Sequence, residues 1–179
     1  YIVRFGVLNW APTYLTEVKG YSITNSAWQS FLYEFAGVPG MLFSGWASDK
    51  LFHGRRSPIM VIFMASVVGA ILLYWLNPKG NYLVDSIALI AIGFFIYGSV
   101  MLIGIAAVDL VPKKAAGTAA GLTGLFGYLG ATGAEVGIGQ IVEHYGWNAG
   151  FMTIIGAAVL SIALLSLTWN VHDRRKDDH

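Results

Sequence analysis

The sequence contains no cysteine, which excludes disulfides and thiolate metal sites over all 179 residues. It is also poor in charge: Asp, Glu, Lys and Arg make up 12% of residues, against about 25% in a soluble domain. The four histidines, His53, His144, His172 and His179, form no HExxH or similar ligand spacing. No GxxxxGK[ST] loop is present to cradle a nucleotide phosphate. No nucleophile sits beside a candidate base. These absences argue against an enzyme and against a need for a cofactor, ATP, a resident metal or a nucleic-acid partner. The chain also lacks an initiator methionine and a signal peptide, and it opens inside an apolar run. It reads as part of a longer protein, cut within a helix.

What is abundant is apolar sequence, 56% of residues, gathered into six runs. They cover residues 1–16, 26–46, 58–76, 84–110, 117–142 and 151–169. A membrane-spanning helix needs about 20 residues, so all but the shortened first run are long enough. The fourth and fifth exceed the requirement, which predicts tilt or protrusion. The expected fold is all-α, with six transmembrane helices and the lipid bilayer as solvent.

Charge alternates between the connecting segments. One set, 49–57, 111–115 and the tail from His172, carries Lys50, Arg55, Arg56, Lys113, Lys114, Arg174, Arg175 and Lys176. The other set, 17–25, 77–83 and 143–148, has only Lys19 and Lys79. The positive-inside rule places the first set, including the tail at 172–179, in the cytoplasm. Trp75, Tyr82, Tyr145 and Trp147 then fall near outer boundaries, with Trp46 and Trp169 near inner ones, as lipid-anchoring aromatics do.

Against this background Arg4 stands out. An arginine at the centre of a span costs about 2.5–3.5 kcal/mol on insertion scales, so it marks a function or a buried partner. Its guanidinium is a planar fork that fits phosphate bidentately. At about 1.5 Å per residue, Arg4 lies about 18 Å from the outer end of its run. The same arithmetic puts Glu34 about 12 Å, Tyr97 about 20 Å and Tyr128 about 17 Å into theirs. All four reach the midplane, where secondary transporters hold their substrates. Tyr1 shares a helix face with Arg4. The tyrosines could equally be packing residues with satisfied hydroxyls, and Arg4 could be a structural ion pair with Glu34.

The fifth run is glycine-rich, with GxxxG spacing at Gly117/Gly121 and again at Gly133/Gly137. Such spacing allows close helix packing, either static or at an interface that rocks.

Residues 45–56 read GWASDKLFHGRR. This resembles the G-x-x-x-D-[RK]-x-G-[RK]-[RK] loop of the major facilitator superfamily, with two extra residues before Gly54. Four further stretches, RFGVLNWAPTYL at 4–15, FLYEFAGVPG at 31–40, IYGSVMLIG at 96–104 and PKKAAGTAAG at 112–121, narrow the match. Together they resemble the organophosphate:phosphate antiporter family over nearly the whole chain.

The resemblance implies that residues 1–179 are the C-terminal half of a twelve-helix transporter of the plasma (inner) membrane. Such a protein exchanges an organophosphate, here glycerol 3-phosphate before hexose 6-phosphate or phosphoglycerate, for inorganic phosphate. Some members instead sense a sugar phosphate and signal to a membrane kinase. Arg4 matches the C-terminal member of the family's arginine pair, and Tyr1, Tyr97 and Tyr128 match cavity tyrosines. Glu34 matches an acid that pairs between the halves. Asp49 with Arg55 or Arg56 matches a cytoplasmic latch. The N-terminal six-helix half would then be the missing partner. Two residues depart from the pattern: Asn9 replaces an acid, and Glu135 stands where a small or apolar residue is expected.

Overall fold

The computed structural model describes residues 1–169. The expected tail at 172–179 lies outside the described residues. Six helices follow one another: α1 (Ile2–Glu17), α2 (Ile23–Leu51), α3 (Arg56–Leu76), α4 (Tyr82–Asp109), α5 (Ala116–Tyr145) and α6 (Trp147–Leu167). A single 3-10 turn, Lys113–Ala115, leads into α5. Each helix occupies one expected span, and no strand occurs among the described residues. The fold is all-α.

The connections are short because the turn chemistry is local. Ser22 caps α2, its Oγ accepting from the Asn25 amide at 3.2 Å. Gly146 alone joins α5 to α6 at φ 81°, a left-handed conformation that a side chain would oppose. The short connections therefore reverse the chain direction between successive helices.

Three helices, α3, α4 and α6, are both long and apolar enough to cross a membrane on length and composition. The other three fall short of that test for a physical reason. Helix α1 has 16 residues, and α1, α2 and α5 carry the intramembrane polar groups Arg4, Asn9, Gln29, Glu34 and Glu135. Helices α2 and α5, at 29 and 30 residues, run about 44 and 45 Å, well beyond a hydrocarbon core of about 30 Å.

Helix α4 packs closely against α2 and α3, while α5 leans on α1, α4 and α6. Glycine sets the α2–α4 approach. A Cβ on Gly40 would collide with the Phe94 carbonyl, and one on Gly93 with the Tyr33 carbonyl. The GxxxG glycines of α5 behave otherwise: Gly117, Gly121, Gly133 and Gly137 have open space where a Cβ would lie. Close helix packing through small residues thus occurs at α2–α4, and the α5 pairs lie free of any such contact with the described residues.

The main core joins all helices around Leu15, Tyr33, Val67, Ile71, Tyr74, Leu89 and Ile92. Trp75 and Trp147, expected as lipid anchors, take part in it. Trp147 meets Tyr14 edge-on at 5.2 Å, and Trp75 stacks on Phe151 at 5.6 Å. The Trp75 indole N–H is satisfied by Asn148 Oδ1 at 3.0 Å.

At the end of the bundle that holds the α1–α2 and α3–α4 connections, a buried ion pair ties three elements together. Lys19, in the α1–α2 connection, pairs with Asp85 in the first turn of α4. Asp85 is fully buried, and its carboxylate also accepts from Tyr21 Oη at 2.9 Å and Asn77 Nδ2 at 2.9 Å. Lys19 Nζ donates to the Tyr74 carbonyl at 3.1 Å and sits 5.0 Å from the Tyr74 ring. Burial, reinforced by the bond to Asp85, pushes the Tyr21 phenol up to about 12. Tyr21 therefore stays protonated, and donates, across the physiological range.

Candidate functional site

Helices α1, α2 and α4 bring Arg4, Glu34 and Tyr97 together at one depth. Arg4 Nη2 donates to Tyr97 Oη at 2.9 Å, and Tyr97 Oη in turn donates to Glu34 Oε2. The phenol thus relays between base and acid. The three ion pairs among the described residues are Lys19–Asp85, Arg56–Asp49 and Arg56–Asp109, so Arg4 and Glu34 do not pair directly.

Several contacts hold the arginine still. Its Cζ lies 4.2 Å from the Tyr97 ring centroid and 5.0 Å from that of Phe5. Such cation–π contacts are worth about 0.5–2 kcal/mol depending on desolvation. Fully buried Tyr33 packs edge-on against Tyr97 at 5.9 Å and donates from its hydroxyl to the Arg4 carbonyl at 3.1 Å. Gly37 lies under the Tyr97 ring, where a Cβ would fall 2.6 Å from Cγ. Arg4 Nε is buried and without a hydrogen-bond partner. A half-buried cation with part of its donor fork unmatched is suited to an anion carrying several oxygens.

Tyr1 and Tyr128 form the neighbouring wall. Their rings stand 6.0 Å apart, and Tyr128 lies 6.3 Å from Phe5. Tyr1 covers Gly127, where a Cβ would fall 2.7 Å from the ring. Glu34 and Tyr128 are exposed, so the site opens on a face of the bundle rather than into its core. Tyr97 is buried; its hydroxyl meets both charges and its ring also lies against the Arg4 guanidinium.

At the opposite end of the bundle, the α2–α3 turn brings Asp49 to Arg56. Arg56 Nη1 donates to Asp49 Oδ1 at 2.6 Å and to Ser48 Oγ at 3.2 Å, while Nε reaches Asp109 Oδ2 at 3.3 Å. Arg55 instead supplies backbone: it caps α3, and its carbonyl accepts from Ser48 Oγ at 3.1 Å. The turn closes through Gly54 at φ 85°.

The two departures noted in the sequence meet in space. Asn9 Nδ2 donates to Glu135 Oε1 at 2.7 Å, and both residues are exposed.

The sequence profile of the Major Facilitator Superfamily matches residues 1–134. The chain belongs to the major facilitator superfamily. Among individual proteins, the glycerol-3-phosphate transporter of Bacillus subtilis is 58% identical over 97% of this chain and 39% of its own length. The glycerol-3-phosphate transporter of Haemophilus influenzae is 49% identical over 90% and 37%. The probable hexose phosphate transport protein of Chlamydia pneumoniae is 41% identical over 97% and 38%. The chain thus spans about two fifths of the length of these relatives. Major facilitator proteins are multi-pass membrane proteins, in keeping with the long apolar helices described above.

Within this superfamily framework, sequence reading missed Tyr33, Asp109 and the Lys19–Asp85 pair. Asp85 carried a signal: it is an acid just inside the most apolar of the long runs, which implies a base nearby. Tyr33 carried none, since a buried tyrosine beside Glu34 reads as ordinary packing.

Proposed function

We propose that the full-length protein is a secondary transporter that exchanges an organophosphate, glycerol 3-phosphate first, for inorganic phosphate across the plasma (inner) membrane. In this reading residues 1–179 are the C-terminal six-helix half of a twelve-helix fold, and transport proceeds without covalent chemistry or a cofactor. One observation carries it: Arg4 is held beside an open face of the bundle, with its Nε unmatched and its charge met by Glu34 only through Tyr97. The substrates named for the relatives support the substrate class.

Each site residue has a role. Arg4 binds phosphoryl oxygens. Tyr97 orients Arg4 and releases it to the substrate while keeping Glu34 occupied. Tyr1 and Tyr128 wall the cavity beside the phosphate. Glu34 balances Arg4 when no anion is bound and pairs with the opposite half when one is. Asp49 and Arg56 latch the cytoplasmic turn, with Arg55 framing the start of α3. The GxxxG face of α5 then forms part of the surface that rocks against the N-terminal half, whose own arginine completes the phosphate site.

Reconstituting the full-length protein in phosphate-loaded vesicles tests this. Saturable uptake of labelled glycerol 3-phosphate that depends on internal phosphate is the expected result. Preferential exchange of hexose 6-phosphate or phosphoglycerate would change the substrate and keep the mechanism. Binding of a sugar phosphate without uptake would replace the transporter with a sensor.

A further inference from the structure

Glu135 is an acid inside a long helix whose described partner is neutral. It lies at the end of an exposed polar stripe on α5, Tyr128, Thr132 and Glu135, at i, i+4 and i+7. Across from this stripe, α1 presents Tyr1, Phe5 and Asn9. The two rows run in register: Tyr1 and Phe5 meet the Tyr128 ring, and eight residues after Tyr1, Asn9 donates to Glu135. Glu135 therefore shares the open face with the Arg4 site, about 10 Å farther along α5 than Tyr128.

Charge decides what this carboxylate is for. The membrane-depth ionisable groups on this face are Arg4, Glu34 and Glu135, one base against two acids. Arg4 is already engaged through Tyr97 with Glu34. The Asn9 amide steers one carboxylate oxygen without neutralising it. A substrate anion does not suit Glu135, because two anions repel. An ionised side chain at this depth is retained by pairing with an opposite charge. The described residues supply no such base within ion-pair distance of Glu135. The relatives are more than twice as long as this chain, so the remaining polypeptide is the source that fits.

We infer that Glu135, steered by Asn9, is the acidic member of an ion pair whose basic member is a Lys or Arg in the part of the full-length protein that faces α1 and α5. This rests on the reading of the chain as one half of a two-half transporter. Glu135 binds the opposing half, and Asn9 is its positioning residue.

The experiment uses purified full-length protein in detergent without ligand. Its first readout is the thermal unfolding midpoint, which is independent of any substrate, with uptake measured in parallel. Glu135→Gln is expected to lower the midpoint by several degrees and uptake at least tenfold. Glu135→Lys lowers both further, and changing one facing Lys or Arg to Glu restores both in that background. A wild-type midpoint and uptake for Glu135→Gln would overturn the inference. So would the failure of every facing charge reversal to rescue Glu135→Lys. Should charge exchange rescue the midpoint in a protein that binds no phosphate, the ion pair stands and the transport reading falls.

Discussion

At the scale of single residues, Tyr97 means more in space than in sequence. Depth arithmetic puts Arg4, Glu34 and Tyr97 at one level, but depth says nothing of azimuth. It does not reveal that one phenol stands between the charges. That position changes what its removal should do. A neutral hydrogen bond is worth about 0.5–1.5 kcal/mol, whereas bonds to charged groups are worth about 1.5–3. Tyr97→Phe removes two of the second kind and leaves Arg4 and Glu34 without their relay. The bond to Arg4 is the one that bears on the ligand, so we expect phosphate binding by the full-length protein to weaken by about 10- to 150-fold, the worth of one charge-assisted bond at tenfold per 1.4 kcal/mol. Tyr128→Phe removes an exposed hydroxyl with no hydrogen-bond donation described, and should cost about threefold or less, within one weak neutral bond. Titration of both variants with inorganic phosphate would check the order. Equal losses would place the two hydroxyls on the same footing and remove the relay.

At the scale of helices and turns, the sequence was read well where hydropathy speaks and poorly where packing decides. All six helices were legible because each coincides with an apolar run, and all but the first of those runs have the length of a span. The GxxxG pairs of α5 were legible as small residues but not as unpacked ones. Spacing identifies a surface able to pack closely, and only the fold shows that Gly40 and Gly93 take that part here. The Lys19–Asp85 clamp was hidden for a related reason, since Lys19 reads as a solvated loop charge until the connection folds over Tyr74. Removing one member of a buried pair leaves the other uncompensated, at about 3–5 kcal/mol. Asp85→Ala should therefore destabilise the full-length protein by about that amount, because Lys19, Tyr21 and Asn77 all lose their acceptor. Lys19→Met with Asp85→Leu should recover most of it, since a well-packed apolar pair avoids the desolvation of two charges. Unfolding in detergent would measure both. A double variant no better than the single would show that the ions specify the geometry of the loop.

At the scale of the whole molecule, the bundle shows two kinds of surface. Helices α3, α4 and α6 are long and apolar enough to cross a membrane. Helices α1, α2 and α5 carry the polar site and also expose Phe31, Phe35, Leu125, Phe126 and Leu129. Composition alone did not separate these surfaces, because a buried apolar side chain and an exposed one look alike in sequence. The Lys and Arg asymmetry of the connections predicts an orientation, which labelling would test. In a full-length protein freed of other cysteines, a Cys at Lys79 should react with impermeant reagent only from outside, and one at His53 only from the cytoplasm. Labelling of position 79 from the cytoplasm alone would invert the bundle.

The central claim is that Arg4 holds the phosphoryl group common to both exchanged ligands. Arg4→Lys keeps the charge and loses the planar fork, so bidentate recognition goes. Loss of one charge-assisted bond predicts binding weaker by about 10- to 150-fold, for inorganic phosphate and glycerol 3-phosphate alike. The direct measurement is equilibrium binding of each ligand to the purified, folded full-length variant. A parallel loss for both ligands is the predicted result. Wild-type affinity for both would contradict it and leave Arg4 as a structural partner of Tyr97 and Glu34.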